Sequence, residues 1–128
     1  MALSKKKNIN LIFSGGYFHQ NTMMFESPEG ISLIEKTRAT KVFVSASGIH
    51  ETLGVTCSNN YEVLTKQAII KSSVEKILLV DSKKFGIVKS SYFADLSDFN
   101  TIITDNKISE QWRQKINELG IKLITVIV

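Results

Sequence analysis

The sequence has 128 residues, of which 43% are hydrophobic and 22% charged, a composition typical of one globular domain and not of a disordered chain. The formal net charge of +4 rests largely on Lys5, Lys6 and Lys7, so the rest of the chain is nearly neutral and lacks the basic footprint of a nucleic-acid-binding domain. No apolar run approaches the roughly 18 residues that cross a membrane, and the single cysteine, Cys57, suits a reducing cytoplasm because it cannot form an internal disulfide.

The beginning of the chain predicts a short tail followed by a strand. Residues 1–8 are expected to form a basic N-terminal tail, and residues 9–128 one domain. The apolar, β-prone residues 9–13 predict a first strand, which stops at Gly15 and Gly16, where the backbone is free to adopt positive φ. A loop is expected to follow as far as about residue 25.

The middle of the chain predicts alternating helices and strands. Ser27 before a proline and a glutamate is typical of a helix start. Residues 41–46 predict the second strand and residues 47–59 a polar loop. Asn60 is expected to cap a second helix, whose apolar positions recur at helical spacing up to Val74.

The last third of the chain continues the same alternation. Ser109 is expected to cap a third helix that ends at Gly120, with Trp112 in the core. The other predicted segments are strand three at 76–80, an irregular stretch at 87–99, strand four at 101–104 and strand five at 123–128.

These patterns predict the α/β fold class, with a mostly parallel sheet flanked by helices, because strands separated by helical segments form right-handed βαβ units. In such folds ligands bind where the carboxyl ends of the strands open. Polar tips follow strands one, two and three at residues 14–16, 45–48 and 81–84. We therefore expect the three tips to meet at one edge of the sheet and form a pocket.

The third tip carries the groups that an anionic, hydroxyl-rich ligand needs. Asp81 can accept hydrogen bonds from hydroxyl groups, and Lys83 or Lys84 can supply a point charge. The alternative is an ordinary turn with solvated lysines.

Other polar residues leave two interpretations open. Asn59 and Glu62 either contact a ligand at the start of the second helix or belong to a surface, where Glu62 and Lys66 form an i,i+4 pair. His19 and His50 lack a third spaced ligand, so no metal is expected, and hydrogen bonding to hydroxyl groups is the better role for them.

Taken in order, the motifs resemble the effector-binding domain of DeoR-type bacterial transcriptional repressors over essentially residues 9–126. The matching segments are 14–19 (SGGYFH), 45–50 (SASGIH), 54–57 (GVTC) with Asn59, Glu62 and Lys66, 79–86 (LVDSKKFG), 102–105 (IITD) and 120–122 (GIK). Within the family, these sequence motifs are most similar to those of the deoxyribonucleoside-regulator branch, whose members respond to deoxyribose-5-phosphate.

The resemblance implies a fold similar to ribose-5-phosphate isomerase and a site that binds a phosphorylated sugar without converting it. Ser47 and His50 stand where those enzymes carry acids, whereas Glu62 and Lys84 match their base and their lysine. The implied ligand-binding set is Gly15, Gly16, His19, Ser47, Gly48, His50, Asn59, Glu62, Asp81 and Lys84.

The resemblance also implies a cytoplasmic homo-oligomer without cofactor or membrane partner. The resemblance further implies that DNA is contacted only through a helix-turn-helix domain, which this sequence lacks. The sequence also lacks a Gly-Thr-Thr loop that the family associates with the effector phosphate. An isomerase-like enzyme and a purely structural oligomerisation module are the alternatives.

Overall fold

The computed structural model describes residues 2–128, in which three α-helices alternate with short and long strands. The helices are α1 (Pro28–Glu35), α2 (Val63–Lys71) and α3 (Glu110–Glu118). The strands are β1 (Tyr17–His19), β2 (Met24–Glu26), β3 (Ala39–Val44), β4 (Gly48–His50), β5 (Gly54–Cys57), β6 (Ser73–Leu79), β7 (Ser91–Ala94), β8 (Thr101–Asp105) and β9 (Lys122–Val126). Short 3₁₀ turns lie at Leu3–Lys5, Asn60–Glu62, Ser82–Lys84 and Leu96–Asp98.

The central sheet has the strand order β3-β6-β8-β9, and every neighbouring pair in it is parallel. The segment from β3 to β6 contains α2, and α3 connects β8 to β9. This arrangement confirms the predicted α/β class with a parallel sheet and helices. A small antiparallel sheet, β4-β5-β7, and the β1–β2 hairpin complete the fold.

The core lies between one face of the central sheet and the elements that pack on it. Val44, Leu78 and Ile102 are register partners on β3, β6 and β8, and all three are almost fully buried. Ile70 of α2 and Ile116 of α3 belong to the same apolar cluster. Burial of these branched side chains supplies the main driving force for folding.

Local signals at the helix ends are confirmed. The Ser27 hydroxyl accepts a hydrogen bond from the Gly30 N–H at 2.9 Å at the start of α1. The Ser109 hydroxyl accepts one from the Trp112 N–H at 3.2 Å at the start of α3. These bonds satisfy backbone donors that the first helical turn leaves unpaired.

The predicted first strand is wrong. Residues 9–13 belong to no strand in the described chain, and β1 and β2 lie instead in the segment predicted as a loop. An apolar run becomes a strand only where a neighbour pairs with its backbone, and β1 and β2 find such a partner in each other.

Other element predictions also need correction. The expected loop at 47–59 contains the β4–β5 hairpin, and the irregular stretch at 87–99 contains β7. The 3₁₀ turn Asn60–Glu62 precedes α2, and no side chain caps that turn. Val74 lies in β6, because α2 ends at Lys71.

The central sheet has a second face, which we call the open sheet face. Side chains alternate along a strand, so the residues that alternate with Val44, Leu78 and Ile102 point away from the core. They include Phe43, Leu79, Ile103, Ile124 and Val126, none of which belongs to the core cluster, and Ile77, which is only 5% exposed. Phe43 is 59% exposed and Leu79 and Val126 are each 49% exposed.

No helix in the described part of the chain has the length and hydropathy to span a bilayer.

Candidate functional site

A buried ion pair lies at the carboxyl end of β3. Glu62 ends the turn before α2 and Lys66 follows one helical turn later, with 3.5 Å between Oε1 and Nζ. Both residues are only 8% exposed, so the surface-pair interpretation is wrong. The Lys66 ammonium also donates to the Ser45 carbonyl oxygen at 2.6 Å and lies 4.9 Å from the centre of the Phe93 ring.

Burial of the Glu62–Lys66 pair costs hydration free energy. Each ion loses hydration, and the mutual attraction of the two charges repays the loss only when further hydrogen bonds complete the site. Asn59 supplies one of them, since its Nδ2 donates to Glu62 Oε2 at 3.1 Å. Glu62 therefore accepts from an amide on one side and faces an ammonium on the other.

Cys57 lies beside this cluster, fully buried in β5. Its Sγ donates to the Asn59 carbonyl oxygen at 3.5 Å. Burial raises the pKa of the Cys57 thiol, and the negative charge of Glu62 raises it further. Because the thiolate is the nucleophilic form, this environment favours an inert cysteine.

The loops after β3 and β6 meet at the same edge. Ile49 of β4 and Phe85 form a parallel bridge, and the Gly86 N–H donates to the Ile49 carbonyl oxygen at 2.7 Å. A Cβ on Gly48 would lie 2.4 Å from the Ile87 carbonyl oxygen, so only glycine fits this approach without a shift. Two of the three predicted polar tips thus come together, at Gly48 and at the 81–84 turn.

In the 81–84 turn, the Asp81 carboxylate stabilises the turn, whereas the Lys84 side chain extends toward solvent. Asp81 caps the 3₁₀ turn, because its Oδ1 accepts from the Lys83 N–H at 2.9 Å. The Lys84 ammonium lies 3.9 Å from Asp81 Oδ2, and both side chains are substantially exposed. Lys84 is thus held loosely and can reach an anion, whereas much of the hydrogen-bonding capacity of Asp81 serves the turn.

Gly15 and Gly16 lie at the entrance to the β1–β2 hairpin and not at the end of a strand. A Cβ on Gly16 would come 2.4 Å from the Glu26 carbonyl oxygen, and Gly15 has a φ of 65°. The hairpin therefore explains why glycine stands here. The expectation that this tip follows a strand is wrong, because residues 9–13 form none, and a ligand-binding role for the two glycines stays a prediction.

His50 and Ser47 hold the small antiparallel sheet. Nδ1 of His50 accepts from the Thr52 N–H at 3.2 Å and the Leu53 N–H at 3.1 Å, which closes the turn between β4 and β5. The Ser47 N–H donates to the Thr56 carbonyl oxygen at 2.9 Å. Contact of either side chain with a ligand stays a prediction. The described residues contain no cluster of His, Cys, Asp and Glu side chains that could hold a metal ion.

The β1–β2 hairpin brings His19 to the site through a residue that the sequence did not single out. The His19 ring stacks on Tyr61, with 3.5 Å between the ring centres and an angle of 4° between the planes. Nε2 of His19 lies 3.0 Å from Glu26 Oε1, across the hairpin. Tyr61 stands between Asn59 and Glu62 in the sequence, and this position is the signal that could have drawn attention to it.

The profile described as "DeoR C terminal sensor domain" matches residues 1–106. The chain belongs to the DeoR sensor-domain family.

Relatives of this DeoR sensor domain are transcriptional regulators. The HTH-type transcriptional regulator IolR of Bacillus subtilis is 32% identical over 124 residues, covering 95% of this chain and 49% of the regulator. The lactose phosphotransferase system repressor of Staphylococcus epidermidis is 33% identical over 116 residues, covering 89% of this chain and 45% of the repressor. The deoxyribose operon repressor of Escherichia coli K12 is 27% identical over 124 residues, covering 97% of this chain and 49% of the repressor.

Membership in the DeoR family confirms the resemblance and excludes the enzyme alternative. The family is a sensor domain and its relatives regulate transcription, so the chain is not an enzyme and the isomerase alternative is wrong. The chain spans about half the length of the curated relatives it matches.

Proposed function

We propose that this DeoR sensor domain binds a phosphorylated sugar such as deoxyribose-5-phosphate at the carboxyl ends of β3 and β6. The observation that carries the proposal is the buried Glu62–Lys66 pair with Asn59 attached to it. A buried ion pair is a poor source of stability compared with apolar packing, so its presence at a strand end favours a role in binding. The name of the E. coli relative, the deoxyribose operon repressor, supports the choice of sugar.

The two ends of such a ligand need different partners. Asn59 and Glu62 offer an amide and a carboxylate, which together accept from and donate to sugar hydroxyl groups. Lys84 offers an ammonium that lies 3.9 Å from the Asp81 carboxylate on a side chain that is 40% exposed, which suits it to a phosphate.

In the proposed regulator, binding would change the DNA affinity of a helix-turn-helix domain outside this chain. A ligand shifts an equilibrium only by its different affinity for the two conformations. The β1–β2 hairpin is an element that could differ between them, because it touches the site through a few polar and aromatic contacts.

The first prediction concerns the phosphate. Calorimetric titration of the chain with deoxyribose-5-phosphate should show binding, and Lys84→Ala should weaken it about tenfold or more, because a charge-assisted contact is lost. Lys83→Ala is the matched control, since Lys83 is the neighbouring exposed lysine. Equal affinities of wild type and Lys84→Ala would reject the assignment of Lys84, and unphosphorylated deoxyribose should bind both proteins alike.

We also propose self-association through the open sheet face, in line with the expected homo-oligomer. The face is apolar from β3 across to β9, and Lys41 and Glu75 are register partners on it, so charges of both signs accompany the apolar surface. A surface with both signs can complement a second copy of itself across a two-fold axis.

A further inference from the structure

A continuous series of hydrogen bonds runs from the tip of the β1–β2 hairpin to the buried ion pair. The hydroxyls of Thr22 and Tyr61 are 2.8 Å apart, and Tyr61 Oη donates to Asn21 Oδ1 at 2.8 Å. Asn21 Nδ2 donates to Asn59 Oδ1 at 3.5 Å, and Asn59 Nδ2 donates to Glu62 Oε2 at 3.1 Å. These side chains lie far apart in sequence and close together only because the hairpin folds onto the turn before α2.

The Glu62 carboxylate, at one end of the series, fixes the donor and the acceptor in every bond of the series. An ionised Glu62 can only accept, so Asn59 must present its NH₂ group to Glu62 and its carbonyl oxygen to the hairpin. Tyr61 donates its single hydroxyl proton to Asn21, so Thr22 is the donor to Tyr61, and Asn21 must turn its own NH₂ group toward Asn59. Bonds that all point the same way polarise one another.

Both the ring and the hydroxyl of Tyr61 contact the β1–β2 hairpin or its tip. Its ring is stacked on His19, and its hydroxyl makes bonds to both Thr22 and Asn21. The contact between Asn21 and Asn59, at 3.5 Å, is the longest bond of the series and lies at an exposed position. A ligand hydroxyl can therefore enter at this point, since Asn59 Oδ1 has a second lone pair and a weak partner.

We propose that Tyr61 is a positioning residue that sets which sugars the site accepts. It orients the Asn21 amide, and the facing amides of Asn21 and Asn59 then read a hydroxyl group of the ligand. Sugars with and without a hydroxyl at that point, such as ribose and 2-deoxyribose phosphates, are distinguished by whether these amides find a partner. The inference rests on the proposed function, and it adds two residues, Asn21 and Tyr61, to the expected site.

The first test needs no ligand. Tyr61→Phe keeps the ring and its stacking on His19 but removes the hydroxyl, and Tyr92→Phe is the control because it removes a tyrosine hydroxyl bonded to Asp95. In ¹H–¹⁵N spectra, the side-chain amide signals of Asn21 and Asn59 should move in Tyr61→Phe and stay in place in Tyr92→Phe. Signals that stay in place in both variants would overturn the positioning role.

The second test measures selectivity. Calorimetry with ribose-5-phosphate and deoxyribose-5-phosphate gives a ratio of the two Kd values for each protein. Loss of one oriented hydrogen bond should change this ratio about fivefold in Tyr61→Phe and leave it unchanged in Tyr92→Phe. An unchanged ratio with binding intact would overturn the specificity role alone, whereas failure of the wild type to bind either compound would overturn the proposed function as well.

Discussion

Asp105 shows how one carboxylate joins two strand ends of the central sheet. It stands at the end of β8, where Oδ2 accepts from the Ser82 N–H at 2.8 Å and Oδ1 from the Lys107 N–H at 2.9 Å. The hydrogen bond from Ser82 is the main cause that lowers the pKa of Asp105 below its ordinary value of 3.8. The ionised form of Asp105 therefore helps to hold the 81–84 turn.

The second prediction follows from the sign of that pKa shift. Because the pKa of Asp105 is lower in the folded state, the unfolded state binds more protons in acid, and the stabilisation is present above about pH 4 and lost as the pH falls through the folded value. Asp105→Asn should therefore lose less stability than the wild type between about pH 6 and about pH 3. Urea unfolding followed by circular dichroism at a series of pH values measures this.

The control for Asp105→Asn is Glu118→Gln, which neutralises an exposed carboxylate at the end of α3. It should keep the wild-type dependence of unfolding free energy on pH. The prediction fails if Asp105→Asn and the wild type lose stability equally in acid.

At the scale of elements, the contact between β4 and the segment after β6 brings the proposed binding groups together. This contact depends on Gly48, whose missing side chain lets the Ile87 backbone approach. The neighbouring bonds, from Gly86 to Ile49 and from the Lys89 N–H to Thr56 Oγ1, fix the same junction.

The third prediction is that Gly48→Ala destabilises the protein. An added Cβ would meet the Ile87 carbonyl oxygen at 2.4 Å, and backbone cannot move aside as a flexible side chain can, so we expect a cost of about 1–3 kcal/mol or more. Thermal or urea unfolding measures the change. Ser47→Ala is the neighbouring control, since it adds no atom, and an unfolding free energy equal to that of the wild type in Gly48→Ala would contradict the contact.

The elements that the sequence predicted are those whose signals are local. Ser27 and Ser109 cap helices through bonds to residues three positions on, so the sequence around them is sufficient. The short strands β4 and β5 form a hairpin inside a polar stretch that has the composition of a loop, and β7 pairs with β5 from a distant part of the chain, so no local pattern marks it. Residues 9–13 have the composition of a strand and lack a neighbour to pair with.

The candidate site was predictable to a similar extent. The sequence placed Gly48 and the 81–84 turn after strands two and three, and parallel strands bring such ends to one edge. It could not show that Glu62 and Lys66 are buried, because an i,i+4 pair reads the same on a surface. Tyr61 gains its role from contacts with the hairpin about forty positions earlier, which no local pattern contains.

At the scale of the whole molecule, the two faces of the central sheet differ. One face is covered by α2 and α3, and the open sheet face keeps Phe43, Leu79 and Val126 accessible to solvent. Contiguous apolar surface of this kind marks an interface more often than a free surface. A second copy of the chain is the occupant we propose.

The fourth prediction is that the double variant Phe43→Ser, Leu79→Ser is less associated than the wild type. Sedimentation velocity at a series of concentrations should show an oligomer for the wild type and a monomer for the variant. Both side chains are exposed, so their replacement should change the stability of the single chain by little.

Leu64→Ser, at a 65% exposed position on α2, is the control for the loss of an apolar surface residue elsewhere. It should sediment like the wild type. A wild-type protein that stays monomeric at every concentration would refute association through the open sheet face.

The burial of Cys57 has a practical consequence. The sequence contains one cysteine, and its sulfur is enclosed in β5, where maleimide reagents reach it poorly. A cysteine introduced at Met23, which is 76% exposed at the hairpin tip, should therefore take up a fluorescent dye selectively without removal of Cys57. Such a labelled protein would report movement of the hairpin tip as ligands are added.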